Sequence, residues 1–421
     1  MEQKTILNRV CQLPGFVYGR IRLVRAREEG ERDRIEVDVR PRANGRAVCS
    51  GCGQPAPGYD RLQPRRFQFV PVLGLPAFFL YAMRRVNCPR CGKVKVERVP
   101  WAQGKQQATK ALGWFLASWA RRLSRKETAT VFGVSWDRAC RAVGMAVAWG
   151  RERVSLEGVA TIGVDEIAWQ SGHRCLTLAC QLDAGRRRLL WVGQERKITT
   201  LESFFAWFAK QRSARLQVVC SDMWKACLRV VREQARQAKH VLDRFHIVQK
   251  LGKAIDAVRA EEAKQLQAQG KEPVLKSSRW LLLKRPQRLT EKQEPKLAEL
   301  LKLNLRTVRA CLLKEDFQLL WDCRSPTQAS KFIKRWCRRA TRSRIKPMQK
   351  VAKMLRQHRP LVLNWFRTGR AFSSGAVEGM NNKAKVALRK AYGFRSYKAC
   401  ELALYHTLAD LPQHSLAHRF C

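Results

Sequence analysis

Three carboxylates in the second half of the sequence have surroundings typical of a catalytic site. Asp165 follows the apolar run 159–164, Asp222 follows the similar run 216–221, and Glu378 lies among small residues at the start of a predicted helix. Mg²⁺ prefers carboxylate oxygens, and two such ions about 3.5–4 Å apart can cleave a phosphodiester by activating the attacking oxygen and stabilising the leaving one. These acids predict a site for two Mg²⁺ or Mn²⁺ ions, with Asp165 as the bridging ligand.

Other residues near these acids are competing or supporting candidates. Glu166 follows Asp165 directly, and strand alternation predicts that it points to the opposite face of the strand. Asp243 and His246 lie at the end of a further predicted strand. They compete for a place in the site, but a hydrogen-bonded pair that shapes its edge is the favoured interpretation. Trp224 is a further candidate for the edge of the site, and packing in the core is favoured over stacking on a base.

The elements that must position the acids follow an informative order. From residue 159 the sequence predicts three strands, a helix, a strand that ends on Asp222, a helix and a strand that ends on Asp243. This order is typical of the ribonuclease-H-like fold, in which the first and fourth strands are parallel neighbours, so Asp165 and Asp222 should meet. The stretch from about 250 to 370 predicts helices alone and is interpreted as an all-helical insertion before Glu378.

Two Cys-x-x-Cys pairs, each followed by glycine, lie in the N-terminal part of the chain: Cys49 with Cys52, and Cys88 with Cys91. Such turns direct two thiolates each at one tetrahedral Zn²⁺, and glycine permits the positive φ that they often need. The β-rich sequence between the pairs predicts a connecting hairpin. We therefore expect a zinc ribbon with a closed, structural site; a redox role of either pair is the alternative.

A helix-turn-helix is predicted between the zinc ribbon and the first acid. Residues 125–132 form a short helix, Gly133 a turn, and Ser135 the N-cap of a longer helix. In a helix-turn-helix the second helix lies in the major groove of DNA, and Arg138 and Arg141 would be its exposed contacts. An ordinary three-helix bundle is the alternative. The apolar face of the second helix is predicted to contain Trp136, Ala139, Cys140, Val143 and Val147.

The composition indicates a polyanionic partner. In 421 residues, 83 Lys and Arg stand against 34 Asp and Glu, which leaves a formal net charge of +49 spread along the chain. Charge of this size favours nucleic acid as the partner.

The 15 cysteines are better explained as metal ligands and buried thiols than as disulfides. No apolar run approaches the roughly 18–20 residues of a membrane span, and no signal-peptide core is found, so we expect a cytoplasmic, nucleoid-associated protein.

Together these motifs resemble the DDE transposases of bacterial insertion sequences, specifically the ISL-three family, over nearly the whole chain. The zinc ribbon and the helix-turn-helix come first in the shared order. The motifs that follow are Gly163-Val164-Asp165-Glu166, Ser221-Asp222-Met223-Trp224, Asp243-Arg244-Phe245-His246 and Glu378-Gly379-Met380-Asn381-Asn382-Lys383. Two more segments are similar to family signatures, Arg279-Trp280-Leu281-Leu282-Leu283 and Tyr392-Gly393-Phe394-Arg395. Arg244 departs from the family, which often has an aromatic or acidic residue there.

The resemblance implies an enzyme that cuts DNA at terminal inverted repeats and joins the 3′ ends to a target, with Mg²⁺ as cofactor. By position, the catalytic acids map onto Asp165, Asp222 and Glu378. The resemblance also implies a dimer or higher homo-oligomer that bridges two DNA ends. Lys383 and Lys385, beside the acid on the same predicted helix, are candidate DNA contacts.

Two other functions share parts of this pattern. A catalytically inert DNA-binding regulator derived from a transposase would keep the zinc ribbon and the helix-turn-helix, but it would be expected to lose at least one acid. A structure-selective nuclease would keep the acids but has less use for two sequence-reading modules. The predicted organisation is α/β and multi-domain. It comprises a β-rich segment with the zinc ribbon (1–105), a helix-turn-helix bundle (106–152) and a ribonuclease-H-like mixed-sheet catalytic core (155–421) interrupted by the insertion (about 250–370).

Overall fold

A computed structural model describes most of the chain. The described residues are 3–26, 28–29, 31–170, 174–270, 275, 278, 281, 289–302, 305–370, 374–391 and 393–418. Most of the family-like segment at 279–283, and Tyr392, therefore lie outside them. The protein is mixed α/β, and it divides into two compact units. The first unit joins Met1–Ser155 to Val386–Cys421, and the second is Leu156–Lys385.

Short strands predominate early in the chain, and helices predominate toward its end. Up to Ser155 the elements are α1 (Gln3–Val10), β1 (Phe16–Val24), β2 (Arg34–Pro41), β3 (Gly58–Arg61), β4 (Arg65–Val72), β5 (Leu75–Tyr81), β6 (Arg84–Cys88), β7 (Lys93–Val96), α2 (Lys110–Trp119), α3 (Arg125–Val131) and α4 (Trp136–Arg153). Next come β8 (Thr161–Gln170), β9 (Arg174–Asp183), β10 (Arg186–Gln194), α5 (Ile198–Phe208), α6 (Lys210–Ser213), β11 (Val218–Ser221), α7 (Lys225–Gln234), β12 (Lys239–Leu242) and α8 (Arg244–Ala268). The rest are α9 (Glu294–Lys302), α10 (Arg306–Gln318), the 3₁₀ turn Leu319–Asp322, α11 (Pro326–Arg342), α12 (Lys346–Gln357), α13 (Arg359–Arg367), α14 (Ser374–Arg389), α15 (Tyr397–Leu408) and α16 (Ser415–His418).

The described residues of the first unit form two small sheets. Strands β4 and β5 form the predicted hairpin, but the hairpin belongs to a four-stranded sheet in the order β1-β2-β5-β4. An aromatic core around Phe79 and Trp101 covers this sheet. The second sheet has the order β3-β6-β7, and its central strand β6 ends at Cys88. The cysteine pairs therefore lie beside a separate, three-stranded sheet.

A short helix, α3, and a longer helix, α4, lie where the sequence predicts a helix-turn-helix. Ser124 opens α3 with a capping box, accepting from Glu127 N at 3.1 Å while the Glu127 carboxylate accepts from Ser124 N at 2.7 Å. Gly133 takes a positive φ of 58° in the turn, and the Ser135 hydroxyl caps α4 by accepting from Arg138 N at 3.3 Å.

The predicted apolar face of α4 is wrong for one residue. Trp136 is 55% exposed, whereas Ala139, Val143 and Val147 are buried. Helical side chains point back toward the N-terminus of their helix. The side chain of Trp136, the first residue of α4, therefore extends past the packed part of the helix.

The C-terminal segment packs within the first unit, although the predicted catalytic domain reached residue 421. Trp114 stacks on His414 with ring centroids 5.1 Å apart, and the Arg125 guanidinium donates to the carbonyl of Ala399 at 3.0 Å. Close packing of Gly150 against Leu411 adds to this contact. The compact unit that contains the acids consequently ends at Lys385.

A five-stranded sheet in the order β10-β9-β8-β11-β12 organises the second unit. The three predicted strands β8, β9 and β10 form an antiparallel meander, and β11 is parallel to both β8 and β12. The predicted pairing of the first and fourth strands is thus found. Its register, with Cys220 opposite Gly163, brings Asp222 to the level of Asp165 when continued by two residues.

The two faces of β8 contact different helices. Ile162 and Val164 belong to a core with Phe204 of α5. On the other face, a Cβ added to Gly163 would lie 3.0 Å from Val377 of α14 and 2.6 Å from Leu182. Only glycine permits this close approach, so the helix that carries Glu378 packs on the same face of β8 as Asp165.

The predicted helical stretch packs beside the sheet. In the described part of residues 250–370, the helices share one core with Val241 and Leu242 of β12, and the fully buried Trp336 lies in it. No helix among the described residues is both long enough and apolar enough to cross a membrane.

Candidate active site

Asp165 lies in the middle of β8, and several groups fix its carboxylate. Strand β8 continues beyond the apolar run 159–164 and past Asp165 to Gln170, because β9 continues to pair with it. The parallel neighbour β11, however, ends at Ser221, which opens the sheet beside Asp165. Asp165 Oδ1 accepts a hydrogen bond from Glu166 N at 2.8 Å. Asp165 Oδ2 accepts one from the side-chain amide of the buried Asn381 of α14.

Asp243 and His246 approach Asp165 from the next strand. Asp243 follows β12 and caps α8, with its Oδ1 accepting from Phe245 N at 2.8 Å. His246 Nε2 lies 3.5 Å from Asp165 Oδ1 and 4.0 Å from Asp243 Oδ2. This nitrogen is buried, and among the described residues it finds no hydrogen bond of normal geometry. The structure thus brings together Asp165 and the two residues that the sequence favoured as a site edge.

Asp222 lies at the end of β11 and is engaged by Arg196. Its Oδ1 accepts from Trp224 N at 2.8 Å, and its Oδ2 is paired with the Arg196 guanidinium. The same guanidinium lies 3.3 Å from Glu166 Oε1 and 5.0 Å from the centroid of the Trp224 ring. Glu166 follows the Ile162 and Val164 face of β8, as strand alternation predicts, yet Arg196 connects it to Asp222.

Glu378 is exposed on α14, close enough to Asp243 to raise the pKa of that carboxyl. Asn382 on the same helix is exposed as well, as are Lys383 and Lys385, the two predicted DNA contacts. Asp165 and, more weakly, Asp222 raise the pKa of His246, so Asp222 is also close to the cluster of Asp165, Asp243 and His246.

The pKa values show that carboxylates are crowded here. Burial raises the pKa of Glu166 to about 7, with a further rise from Asp222 and an opposing effect of Arg196. Burial also raises the pKa of Asp243 to about 6, although the hydrogen bond from Phe245 N opposes it. Burial acts in the same direction on Asp165, but the neighbouring imidazole of His246 keeps the pKa of Asp165 below its usual range. Additional positive charge would therefore be favourable among these acids.

Two residues of the site were not predicted from the sequence. Asn381 follows Glu378 by three positions, so helical periodicity offered a weak signal for its place near the acids. Arg196 lies in the connection after β10 and gave no signal, because its partners Asp222 and Glu166 are distant in sequence. Trp224 packs against the core, as predicted, and supports Arg196 on its ring.

Comparison with known proteins identifies the family. The profile of the ISL-three family of DDE transposases, described as a transposase, matches residues 162–404. The transposase of insertion sequence element IS1001 from Bordetella parapertussis is 29% identical over 83% of this chain and 85% of its own length. The transposase of IS1557 from Mycobacterium tuberculosis is 30% identical over 91% of this chain and 90% of its own length.

The chain belongs to the ISL-three family of transposases. Members of this family are DDE-type enzymes, and the family implies use of divalent metal ions. The donor set fits such ions. Asp165, Asp243 and His246 each offer a ligand atom, and these atoms lie within 4.8 Å of one another.

The four predicted cysteine ligands also meet in the transposase. Their sulfurs lie within 4.8 Å of one another, with Cys49 3.9 Å from Cys91 and Cys52 3.5 Å from Cys88. Tetrahedral binding with bonds of about 2.3 Å requires sulfurs about 3.8 Å apart. Backbone N–H groups of Cys52 and Gly51 lower the pKa of Cys49 to about 6. The cluster is thus compatible with a closed metal site such as that of zinc.

The two arginines predicted to contact DNA from α4 differ in their surroundings. Arg141 is exposed. Arg138 is half-buried and donates to the Gln68 side chain of β4. In the transposase as described, Arg141 is therefore the more accessible of the two.

A test of the carboxylate crowding is the substitution Glu166→Gln. The folded-state pKa of about 7 lies above the ordinary 4.5. The stabilising contribution of Glu166 is therefore fully present below about pH 4.5 and lost as pH rises through 7. The loss is about 3 kcal/mol, and it should be absent in the variant. We expect the free energy of unfolding of Glu166→Gln, relative to the wild type, to increase between pH 5 and pH 7.5.

The measurement is urea unfolding at both pH values without added divalent cation. Glu195→Gln, which removes an exposed ion pair with Lys197, is the control for the loss of a surface charge. The same difference between Glu166→Gln and the wild type at both pH values would contradict the proposed crowding.

Proposed function

We propose that this transposase binds the terminal inverted repeats of an insertion sequence and catalyses strand cleavage and 3′-end transfer to a target. Asp165, Asp222 and Glu378 would be its metal-binding acids. The observation that supports this most strongly is the parallel pairing of β8 with β11, because it brings the strands of two of these acids side by side. Helix α14, which carries Glu378, packs on the same face of β8 as Asp165.

We infer that the second unit is a ribonuclease-H-like catalytic core. Its sheet order β10-β9-β8-β11-β12, with a meander followed by two parallel strands, supports this assignment. The helices after β12 then form an insertion within the core, and α14 returns the chain to the sheet. On this basis the three acids belong to one site although more than half of the second unit separates the last two.

The chemistry depends on how the protein holds its acids. Divalent ions, when bound, would activate the attacking oxygen and stabilise the leaving oxygen of the phosphodiester. Asn381 and the backbone N–H of Glu166 fix Asp165 in one orientation, in which its carboxylate would hold such ions. Trp224 N holds one oxygen of Asp222, and Arg196 neutralises the other.

DNA is the proposed partner of both units. The net charge of +49 suits extended contact with phosphates. In the first unit, Arg141 of α4 is exposed and would reach the major groove. In the second unit, Lys383 and Lys385 are exposed on the helix of Glu378 and would hold the strand near the acids. A dimer or higher oligomer would hold the two ends of the element together.

Strand transfer should depend on Asp222. The purified protein is incubated with Mg²⁺ or Mn²⁺, a labelled duplex that carries the end of the element, and a target plasmid. The wild type should give cleaved and joined products. Loss of a metal ligand removes several kcal/mol of transition-state stabilisation, so Asp222→Asn should lower the rate about 10²–10³-fold or more.

The control for this assay is Glu233→Gln, which alters an exposed carboxylate on the neighbouring helix α7. Undiminished products from Asp222→Asn would remove this acid from the mechanism. Binding of the duplex by the wild type without cleavage would favour the inert DNA-binding regulator.

Binding to DNA should depend steeply on salt. The logarithm of affinity is expected to fall linearly with the logarithm of salt concentration, by about 0.9 for each phosphate contact. If Arg141 contacts a phosphate, Arg141→Ala should reduce this slope by about 1. Fluorescence anisotropy with a labelled terminal repeat measures both quantities. Arg229→Ala, an equal change of charge on α7, is the control, and a flat salt dependence in the wild type would contradict the DNA interface.

We also propose that Cys49, Cys52, Cys88 and Cys91 hold one structural Zn²⁺. Metal analysis of the purified protein should find about one zinc per chain, as a four-thiolate site binds one ion. Cys52→Ser should lose this zinc and expose the β3-β6-β7 sheet to proteolysis, because structural zinc contributes directly to folding. Cys175→Ser, on β9, should keep it. Full zinc retention by Cys52→Ser would exclude this ligand set.

A further inference from the structure

The cluster of Asp165, Asp243 and His246 has the form of a cation site with mixed ligands. All three donor atoms lie within 4.8 Å of one another. Asp243 is nearly fully buried, with its side chain 4% exposed, and the cap of α8 uses only its Oδ1. The remaining Oδ2 faces His246 Nε2 at 4.0 Å. Two carboxylate oxygens and one imidazole nitrogen therefore converge on the same small space.

The cluster of Asp165, Asp243 and His246 does not include Asp222. Both oxygens of Asp222 are engaged, one by Trp224 N and the other by Arg196. Both oxygens of Asp165 accept hydrogen bonds as well, from Glu166 N and Asn381, but its Oδ1 also lies 3.5 Å from the imidazole nitrogen. The local geometry thus separates a pair of acids around Arg196 from a three-donor group around His246.

A buried imidazole nitrogen needs a partner. Nε2 of His246 is buried and makes no hydrogen bond of normal geometry to any described residue. This nitrogen lies close to both carboxylates. A metal ion between them, in place of a proton on the nitrogen, would bind all three groups at once. Contraction of the present distances of 3.5 and 4.0 Å to about 3 Å would suit adjacent ligands of an octahedral ion with bonds of about 2.1 Å.

We propose that Asp243 and His246 join Asp165 as direct ligands of one catalytic cation, so that this site contains a nitrogen ligand. The inference rests on the proposed two-metal function and adds to its acids a ligand set with a different preference. Mg²⁺ takes oxygen ligands, whereas imidazole suits transition metals. His246 thereby favours Mn²⁺ over Mg²⁺ at this site.

The test is pulsed electron paramagnetic resonance of Mn²⁺ added to the full-length, zinc-containing protein. Coordinated imidazole gives a ¹⁴N modulation of the Mn²⁺ echo, which carboxylates and water do not. We expect this modulation in the wild type and its loss in His246→Asn. The dissociation constant for Mn²⁺ should rise at least about tenfold in this variant, with a smaller change for Mg²⁺ measured by competition.

Two further variants separate a ligand from a group that only positions Asp165. His358→Asn alters a half-buried histidine outside the cluster and should keep the modulation. Asp243→Asn retains a side-chain oxygen that can cap α8, yet it should also weaken Mn²⁺ binding. Because the wild-type spectrum alone decides whether nitrogen is coordinated, a poorly folded variant does not leave the question open.

The outcomes distinguish this inference from the proposed function. Absence of ¹⁴N modulation in the wild type at saturating Mn²⁺ overturns the inference, as does unchanged modulation in His246→Asn. Strand transfer by a protein without this modulation would leave the proposed function standing. Nitrogen coordination in a protein that binds DNA but never cuts it would support the cation site and contradict the function.

Discussion

Burial of several neighbouring carboxylates is the constraint on which the candidate site of the second unit depends. Four acids meet at the edge where β11 ends, and burial together with mutual repulsion raises the pKa of two of them. Their charge is offset by Arg196 on one side and His246 on the other. Removing like charges from water is costly unless opposite charge and hydrogen bonds compensate. These four acids, which are Asp165, Glu166, Asp222 and Asp243, are therefore arranged in a way that suits the binding of cations.

Local sequence signals were sufficient for the strands and for the caps of the helices. Apolar runs predicted β8 and β11, and the order of elements predicted that they pair in parallel. Ser135 and Gly133 predicted the start of α4 and its turn, because an N-cap and a positive φ depend on single residues. The cysteine ligands could be predicted for the same reason, since each Cys-x-x-Cys turn forms locally.

Contacts between distant residues could not be predicted in this way. Arg196 joins Asp222 to Glu166 from a connection with no periodic pattern, so nothing near it in sequence indicates its partners. The exposure of Trp136 depends on where the packed part of α4 begins, and the length of the helix does not reveal this. Packing of the C-terminal segment on Trp114 likewise depends on tertiary fit. Sequence periodicity reports which face is apolar, but the element that covers this face is set by the fold.

Helix α14 shows how one close contact orients the chemistry. Gly163 admits Val377, which sets the helix against β8. Residues one turn apart lie on the same face, so Asn381, four positions later, points to the sheet and reaches Asp165. Glu378 follows Val377 and is turned away from the buried face, on the exposed side shared with Lys385. The same helix thus fixes Asp165 from its buried face, while its exposed face carries Glu378 together with Lys385.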